Sequence, residues 1–555
     1  MRRIGPETLL LIAGAALFAV LLGKHLSYPV LWQDEAETAM FATRVIEFGY
    51  PKVHGDRNVL YEFGSNIAVG VKESADAYIG TTWGHFYYAV PGVLWALSAT
   101  DLYEKTLRVR LPFALAGALG IVVWILALLP TFRDRPRRVF AGLFFLCAAV
   151  SVSLLLHLRE ARYYPLLILL VGAIAWLHLR VRVFGAKRGA AWGVSLALLL
   201  TATFHVFFAA WFFLVALLGL DSIVASWRAR GDLAAQRRAW VGFAPMLASA
   251  LLVAPALVFF ETFAIAASFR EHFGFTLGGY LGNLGYFARH FWHFELLAPA
   301  IFCRTAVVAV GFVGRRRGIE FEDETARRTA TQLAGFIAGY VALTCANPLI
   351  YERYFVMLSP AVTGLFLIDS FTLVDAVRRC APGRARLAAG GAVAAVALLV
   401  LATSGPRIEA VRGRLLEIST PVRGPLDFAI ARILEEVPEP AELVIATNYA
   451  NHPLMFYLGS HVIVGTNLNN IVVERRLLPD VVIPRRRWPR GWSELRAFLA
   501  RGAYRSEQLP VRDLHFNQIP ALTRSPSIPD VHRFETAVPR DGAPALEIFW
   551  LEPAP

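Results

Sequence analysis

Long apolar runs recur along this chain, and they constrain its fold more than any other feature. Of its 555 residues, 56% are hydrophobic and only 17% are charged, which is more apolar than a soluble protein of this size requires. The sequence therefore predicts a polytopic α-helical membrane protein with about 11 transmembrane helices, each long enough, or nearly so, to cross a hydrocarbon core of ~30 Å. The runs are 8–24, 109–130, 139–157, 163–180, 189–204, 205–220, 240–262, 297–314, 330–346, 354–372 and 387–404.

Arginine-rich clusters between these runs predict the orientation of the chain. They lie at 133–138, 180–188, 228–238, 315–317 and 378–386, and the positive-inside rule places all of them and the N-terminus in the cytoplasm. The net charge of +13 therefore reflects topology and indicates no nucleic-acid partner. Residues 25–108, the turns at 157–163 and 347–353 and everything after 402 are then expected outside, with 85–99 as an interfacial helix.

The composition changes near residue 405, where proline, charged residues and short alternating stretches replace the apolar runs. Strands are expected at 442–447, 461–465 and 545–551, and helices at 425–437 and 451–458. We thus predict two domains: a membrane domain, 1–404, which includes the outer loop 25–108, and a soluble extracytoplasmic α/β domain, 405–555. The four cysteines form no CxxC pair, so neither a disulfide framework nor a cysteine zinc site is expected.

Two adjacent carboxylates, Asp34 and Glu35, begin a predicted helix at 31–48, which Gly49-Tyr50-Pro51 ends. The helix is expected to lie flat at a membrane surface, with its carboxylates facing a cavity. Asp34 has two interpretations. It caps the helix, or it acts as a proton acceptor, and the two are compatible because the same helix dipole would keep it ionised.

Three arginines, Arg159, Arg162 and Arg353, depart from the positive-inside pattern because they lie in predicted outer turns. Cations at a cavity mouth favour an anionic ligand such as a phosphate. The alternative is local pairing with a neighbouring glutamate or with lipid headgroups. Weaker candidates complete the predicted site, with Lys72 as a further phosphate ligand and Tyr163, His54 and Tyr354 in the substrate cavity.

A Gly-rich aromatic loop at 273–295 ends in His290-x-x-His293-x-Glu295. This spacing suits a divalent metal on one helix face, although in an aromatic amphipathic stretch it more often reflects packing. The loop also suits a lipid tail or a sugar. No metal or other cofactor is assigned with certainty.

These motifs together resemble the GT-C superfamily of membrane glycosyltransferases, and within it the ArnT-like and protein O-mannosyltransferase group, glycosyltransferase family 39. The resemblance covers 1–404 and rests on Asp34-Glu35-Ala36, on Arg159…Arg162-Tyr163 and on Arg353-Tyr354. The chain lacks the sugar-binding-type insertion of the protein mannosyltransferases, which makes a protein acceptor less expected.

The resemblance implies transfer of a sugar from a polyprenyl-phosphate donor to a lipid, polysaccharide or protein acceptor of the cell envelope, lipopolysaccharide included. The reaction would invert the sugar at the outer face of the cytoplasmic membrane. Asp34 would be the general base, Glu35 would orient it or stabilise the sugar cation, and the arginines would hold the leaving phosphate. Two other classes stay open: a transporter or flippase for a lipid-linked glycan, and a non-catalytic membrane protein whose outer domain binds a partner.

Overall fold

The computed structural model describes residues 5–553 apart from 56, 62–69, 133–135, 317–322, 349, 381–383, 404, 464–476, 487–490, 515–537 and 540–543. Most of the described chain is helical. Parts of the predicted basic clusters at 133–138, 315–317 and 378–386 lie outside the described residues, as do the last two residues of the strand predicted at 461–465.

Twenty-one α-helices follow one another in the described chain. They are α1 Pro6–Gly23, α2 Gln33–Phe48, α3 Gly84–Leu97, α4 Leu102–Leu128, α5 Pro136–Val150, α6 Val152–Leu158, α7 Tyr164–Arg182, α8 Ala190–Val206, α9 Phe208–Arg228, α10 Leu233–Val241, α11 Ala244–Phe259, α12 Thr262–Phe273, α13 Leu277–Phe294, α14 Leu297–Arg316, α15 Glu324–Thr344, α16 Ser359–Cys380, α17 Ala385–Ala402, α18 Gly405–Ser419, α19 Pro425–Glu436, α20 Asn451–Leu458 and α21 Trp492–Leu499.

Every predicted apolar run falls on one or more of these helices. Within the described residues, six helices are long and apolar enough to cross a membrane, and up to nine spans result if each bent pair counts as one. The count of 11 therefore stays a prediction. The runs at 189–204 and 205–220, which no polar loop divides, form two helices because the chain is extended at Phe207, with φ of −160°.

Three pairs of successive helices are sharply bent at the break between them, among them α5 with α6 and α13 with α14. α5 and α6 meet at 82° around Ser151, whose hydroxyl accepts a hydrogen bond from the amide of Leu154 and so begins the second helix. α13 and α14 meet at 90°. The prediction of a loop at 273–295 is therefore wrong. α13 occupies nearly all of this stretch, and the glycines of the stretch are accommodated within the helix.

Glycines let two pairs of helices approach closely. A Cβ on Gly14 of α1 would lie 2.5 Å from the carbonyl oxygen of Gly142 on α5, and one on Gly120 of α4 would lie 2.9 Å from the amide nitrogen of Leu169 on α7. Small residues at such crossings allow backbone-to-backbone packing where lipid supplies no hydrophobic drive. These contacts set the spacing of the helices that carry the site.

The chain after residue 440 forms a five-stranded sheet. Its strands are β3 Val444–Thr447, β4 His461–Ile463, β5 Val481–Ile483, β6 Tyr504–Arg512 and β7 Ala545–Leu551, whereas β1 Val71–Lys72 and β2 Ala77–Tyr78 form a separate hairpin. The order is β4-β3-β5-β7-β6, parallel among the first three strands and antiparallel at β7. The predicted strands and helices of this region are present, while β5 and β6 were not predicted. The boundary at 404/405 and the solubility of this region stay predictions.

α2 is buried instead of lying flat at a surface. Ala36, Ala39, Phe41 and Ala42 have no exposed area, and the helix packs beneath α3 and α20. Phe48, the last residue of the helix, is 37% exposed. The packing buries Glu35 fully and leaves Asp34 partly exposed.

Candidate functional site

Glu35 fixes the start of α2. Its carboxylate accepts two hydrogen bonds from Arg110, from Nε to Oε1 at 2.8 Å and from Nη2 to Oε2 at 2.6 Å. It also accepts hydrogen bonds from the backbone amides of Trp32, at 3.4 Å, and Ala161, at 2.8 Å. Glu35 is fully buried and both of its oxygens are engaged, so it joins α2, α4 and the turn before α7 into one unit.

Asp34 lies beside this pair and faces two guanidinium groups. Its Oδ2 accepts a hydrogen bond from Arg353 Nη1 at 2.8 Å and lies 3.6 Å from Arg162 Nη2. The Asp34 side chain keeps 20% of its surface exposed. It does not cap the helix: the side chain that bonds back to the helix start is that of Glu35.

The charges around Asp34 favour its ionised form. Burial alone would raise the pKa of this carboxyl, but the attraction of Arg353 and then of Arg162, with the hydrogen bond from Arg353, outweighs burial and lowers the pKa below its ordinary value. Asp34 is therefore a carboxylate at neutral pH. It is a weak base as long as Arg353 holds it.

Glu37, one helical turn further along α2, is a member of this cluster that the sequence analysis missed. Its Oε1 accepts a hydrogen bond from Arg162 Nη1 at 2.9 Å, and its Oε2 accepts one from the hydroxyl of Tyr61. The ring of Tyr61 stacks on Tyr78, with centroids 4.9 Å apart. The i, i+3 spacing of Asp34 and Glu37 was the available signal, since such residues share one face.

Aromatic rings lie against the guanidinium groups of Arg353 and Arg162. The guanidinium carbon of Arg353 lies 4.6 Å from the ring centroid of Tyr351 and 5.8 Å from that of Trp32. That of Arg162 lies 5.6 Å from Tyr163. Rings on these faces orient both guanidiniums without using their N–H donors.

Three predicted cationic or imidazole residues lie elsewhere. Arg159 donates to the carbonyls of Leu21 and Leu22, at 2.7 and 2.8 Å, and so closes the C-terminal end of α1. Lys72 pairs with Glu261 at 2.8 Å, and His54 pairs with Asp76 at 2.8 Å. The structure thus brings Arg162 and Arg353 to Asp34 and places Arg159, Lys72 and His54 in other contacts.

The two predicted tyrosines flank the arginines. Tyr163 is buried and stacks on Phe207 with centroids 4.6 Å apart, and its hydroxyl accepts a hydrogen bond from Tyr164 at 3.2 Å. Tyr354 follows Arg353 directly, and its carbonyl accepts a hydrogen bond from the Tyr340 hydroxyl at 3.2 Å.

A buried triad beneath the site ties two of its turns together. His157 contacts Glu160 through Nδ1 at 2.8 Å and Glu352 through Nε2 at 3.1 Å, and all three side chains are almost fully buried. The expected alternative, in which Arg159 and Arg162 pair with Glu160, does not occur. Instead the triad connects the turn that carries Arg162 to the one that carries Arg353.

The C-terminal region closes one side of the site. The Gln33 amide donates to Asn451 Oδ1 at 2.7 Å and lies 2.8 Å from His452 Nδ1, while the amide of Leu31 donates to the Tyr457 hydroxyl at 3.0 Å. These residues are more than 400 positions from Asp34 in sequence, so no local pattern predicts the contact. Tyr449 is also close enough that the charge on Asp34, after burial, helps to raise its pKa.

Within the described residues, no group of three or more His, Cys, Asp or Glu side chains is arranged to hold a metal ion. The predicted motif at His290, His293 and Glu295 is used differently. Glu295 accepts a hydrogen bond from the Ser151 hydroxyl at 3.0 Å, and His290 packs against Phe294.

Comparison with known proteins yields only distant likenesses. No protein-family model matches the chain, and no curated protein matches it. Two similar solved structures are those of ArnT from Cupriavidus metallidurans. The apo structure is 14% identical in sequence to this chain, and the match covers 86% of this chain and 92% of the ArnT chain, with a TM-score of 0.44. The structure bound to undecaprenyl phosphate is 14% identical, covers 85% and 92%, and has a TM-score of 0.42. At these values the likeness alone assigns no activity to this chain.

Proposed function

We propose that this protein is a membrane glycosyltransferase that moves a sugar from a polyprenyl-phosphate donor to a cell-envelope acceptor, at the outer face of the cytoplasmic membrane. One observation carries the proposal: Asp34 is a partly exposed carboxylate set against the guanidiniums of Arg353 and Arg162, at one end of a bundle of apolar helices. The arrangement supports the proposal because it would offer a lipid-borne substrate one proton acceptor and two anion-binding groups.

The resting cluster is close to neutral, since Arg162 and Arg353 face Asp34 and Glu37. A donor phosphate would compete with Asp34 for Arg353, because guanidinium binds phosphate oxygens in the same forked manner as carboxylate. Loss of the Arg353 hydrogen bond would raise the pKa of Asp34 and make it a stronger base. Donor binding would therefore activate the carboxylate.

The proposed reaction is a single displacement. Asp34 takes the proton of an acceptor hydroxyl, and the acceptor oxygen forms a bond to the anomeric carbon of the sugar. The bond between that carbon and the phosphate oxygen breaks on the opposite face, and the phosphate leaves with the electron pair. Arg353 and Arg162 stabilise the negative charge that grows on the phosphate, and the sugar is inverted.

Glu35 has a supporting role in this proposal. Its oxygens are engaged by Arg110 and two backbone amides, so it holds the first turn of α2 and thereby orients Asp34. The region after 405, proposed to lie outside the membrane, forms a wall of the site through Tyr449 and His452.

The direct test measures sugar transfer from polyprenyl-phosphate sugars by the purified Asp34→Asn protein. Mass spectrometry of envelope glycans in cells that carry the variant complements this assay. Loss of the general base is expected to lower transfer by about 10²–10⁴-fold. Asp375→Asn, at an exposed acid on α16, is the matched control and should keep full transfer.

Full activity of Asp34→Asn would refute the assignment. Movement of a lipid-linked glycan across the membrane without cleavage of its sugar–phosphate bond would instead identify a flippase. Failure of the chain to bind any polyprenyl-phosphate sugar would favour a non-catalytic, partner-binding protein.

A further inference from the structure

A cavity of about 260 Å³ lies between α4, α7, α9 and α15, and Asp34 is not among its lining residues. α7 begins at the site with Tyr164, meets the apolar wall of this cavity at Val171, roughly 11 Å further along at 1.5 Å per residue, and reaches the polar end of the cavity at His178, roughly 21 Å along. The wall is mainly apolar, with Trp124, Val171, Leu214 and Phe336 among its residues. Leu220 at its rim is 56% exposed, so the cavity opens to the surroundings of the helices.

Polar side chains gather at one end of this cavity. Asp221 pairs with Arg182 at 2.6 Å and accepts a hydrogen bond from the Gln332 amide at 3.3 Å. The Gln332 carbonyl oxygen in turn accepts a hydrogen bond from His178 Nε2 at 3.3 Å. The acid is thus occupied by groups of the protein and does not present an uncompensated negative charge to a ligand.

A cation completes that end. Arg228, the last residue of α9, also lines the cavity, and in the part of the chain that the structure describes it pairs with no carboxylate. With Arg182 paired to Asp221 and Arg228 unpaired by any carboxylate of the described residues, this end of the cavity carries a net positive charge, while most of the remaining lining is apolar. This combination matches an amphiphile with an anionic head and a hydrocarbon chain.

We propose that this cavity is a binding site for an anionic phospholipid. One acyl chain lies along the apolar wall, and the phosphate contacts Arg228. The head would lie at the ends of the helices opposite Asp34, in the leaflet that the arginine clusters predict to be cytoplasmic. The site is therefore separate from the one proposed for the sugar donor.

Gly335 offers a way to fill the cavity. It lines the space, and a Cβ added there meets no atom within 4 Å, so Gly335→Phe is expected to fold. Gly391→Phe, on α17, has equal space around its Cβ but lies outside the cavity and is the matched control. Ala175→Leu, on α7, is a second filling variant.

The experiment is native mass spectrometry of the full chain in detergent, titrated in parallel with phosphatidylglycerol, phosphatidylcholine of the same acyl chains, and undecaprenyl phosphate. We expect one tightly held phosphatidylglycerol, bound in preference to phosphatidylcholine. The filling variants should lose it, and Gly391→Phe should keep it. Arg228→Gln should weaken the binding of phosphatidylglycerol about fivefold. Arg230→Gln, two residues further along and outside the cavity, should leave that binding unchanged.

Any of three results would overturn the proposal. The filling variants and the control could retain phosphatidylglycerol equally, the chain could show no preference for phosphatidylglycerol over phosphatidylcholine, or undecaprenyl phosphate could displace phosphatidylglycerol. Each variant is checked first for a single symmetric elution peak and an unchanged unfolding temperature. If Gly335→Phe fails this check, Ala175→Leu decides the outcome.

Discussion

Substitution of Glu35 separates the two adjacent carboxylates by role. Glu35→Gln removes the charge that compensates Arg110, and both side chains are almost fully buried, at 0% and 4% exposure. A buried pair broken on one side typically costs about 3–5 kcal/mol, because the remaining ion is left without a partner. The glutamine NH₂ also faces donors that previously met a carboxylate. We therefore expect a large loss of stability.

Asp34→Asn is the contrasting change. Asp34 is 20% exposed and its partner Arg353 is 17% exposed, so solvent takes up part of the lost interaction and about 1 kcal/mol or less should be lost. The double variant Glu35→Leu/Arg110→Met replaces the buried pair with apolar side chains and should recover most of the stability that Glu35→Gln loses. Thermal unfolding followed by tryptophan fluorescence, in one detergent for all variants, measures these differences.

Transfer assays on the same preparations complete the test. Glu35→Gln should lose activity in proportion to its loss of folded protein, whereas Asp34→Asn should be folded and inactive. A Glu35→Gln protein that unfolds at the parent temperature and yet transfers no sugar would show that Glu35 takes part in the chemistry, and the positioning role would be refuted.

Two further predictions concern the scaffold. Gly14→Leu should separate α1 from α5 and lower the unfolding temperature, because its Cβ would lie 2.5 Å from the carbonyl oxygen of Gly142. Gly23→Leu is the control, since a Cβ at Gly23 has open space and should leave the unfolding temperature unchanged. Equal unfolding temperatures in the two variants would contradict this prediction. Burial raises the pKa of Asp427 to about 6 from an ordinary value of 3.8. Between these two pH values the folded chain keeps a proton that the unfolded chain releases. The free energy of unfolding should therefore fall by about 3 kcal/mol as pH rises from 4 through 6. Unfolding measured from pH 4 to 7.5 should show a smaller fall in Asp427→Asn, and identical slopes would refute the shift.

Local sequence pattern predicted most of the helices and part of the strands. The apolar runs coincide with helices, six of which are long and apolar enough to cross a membrane among the described residues, because lipid requires each span to satisfy its own backbone hydrogen bonds over a fixed length. Gly49, in the left-handed conformation with φ of 82°, ends α2 where the sequence places the end. β5 and β6 were missed because three residues, Val481–Ile483, are too short for an alternating pattern, and Tyr504–Arg512 contains a proline and four charged or amide side chains.

For the site, the sequence by itself determined that Asp34, Arg162 and Arg353 are unusual, since charges near predicted spans are costly unless they are used or paired. Only the tertiary structure decided which of them meet. Arg353 lies 319 positions from Asp34 and reaches it at 2.8 Å, while Arg159, three residues before Arg162, turns to the end of α1. Helical periodicity gives a face but not the neighbour on that face, because the neighbour depends on how the helices cross, and that is set by packing over the whole chain.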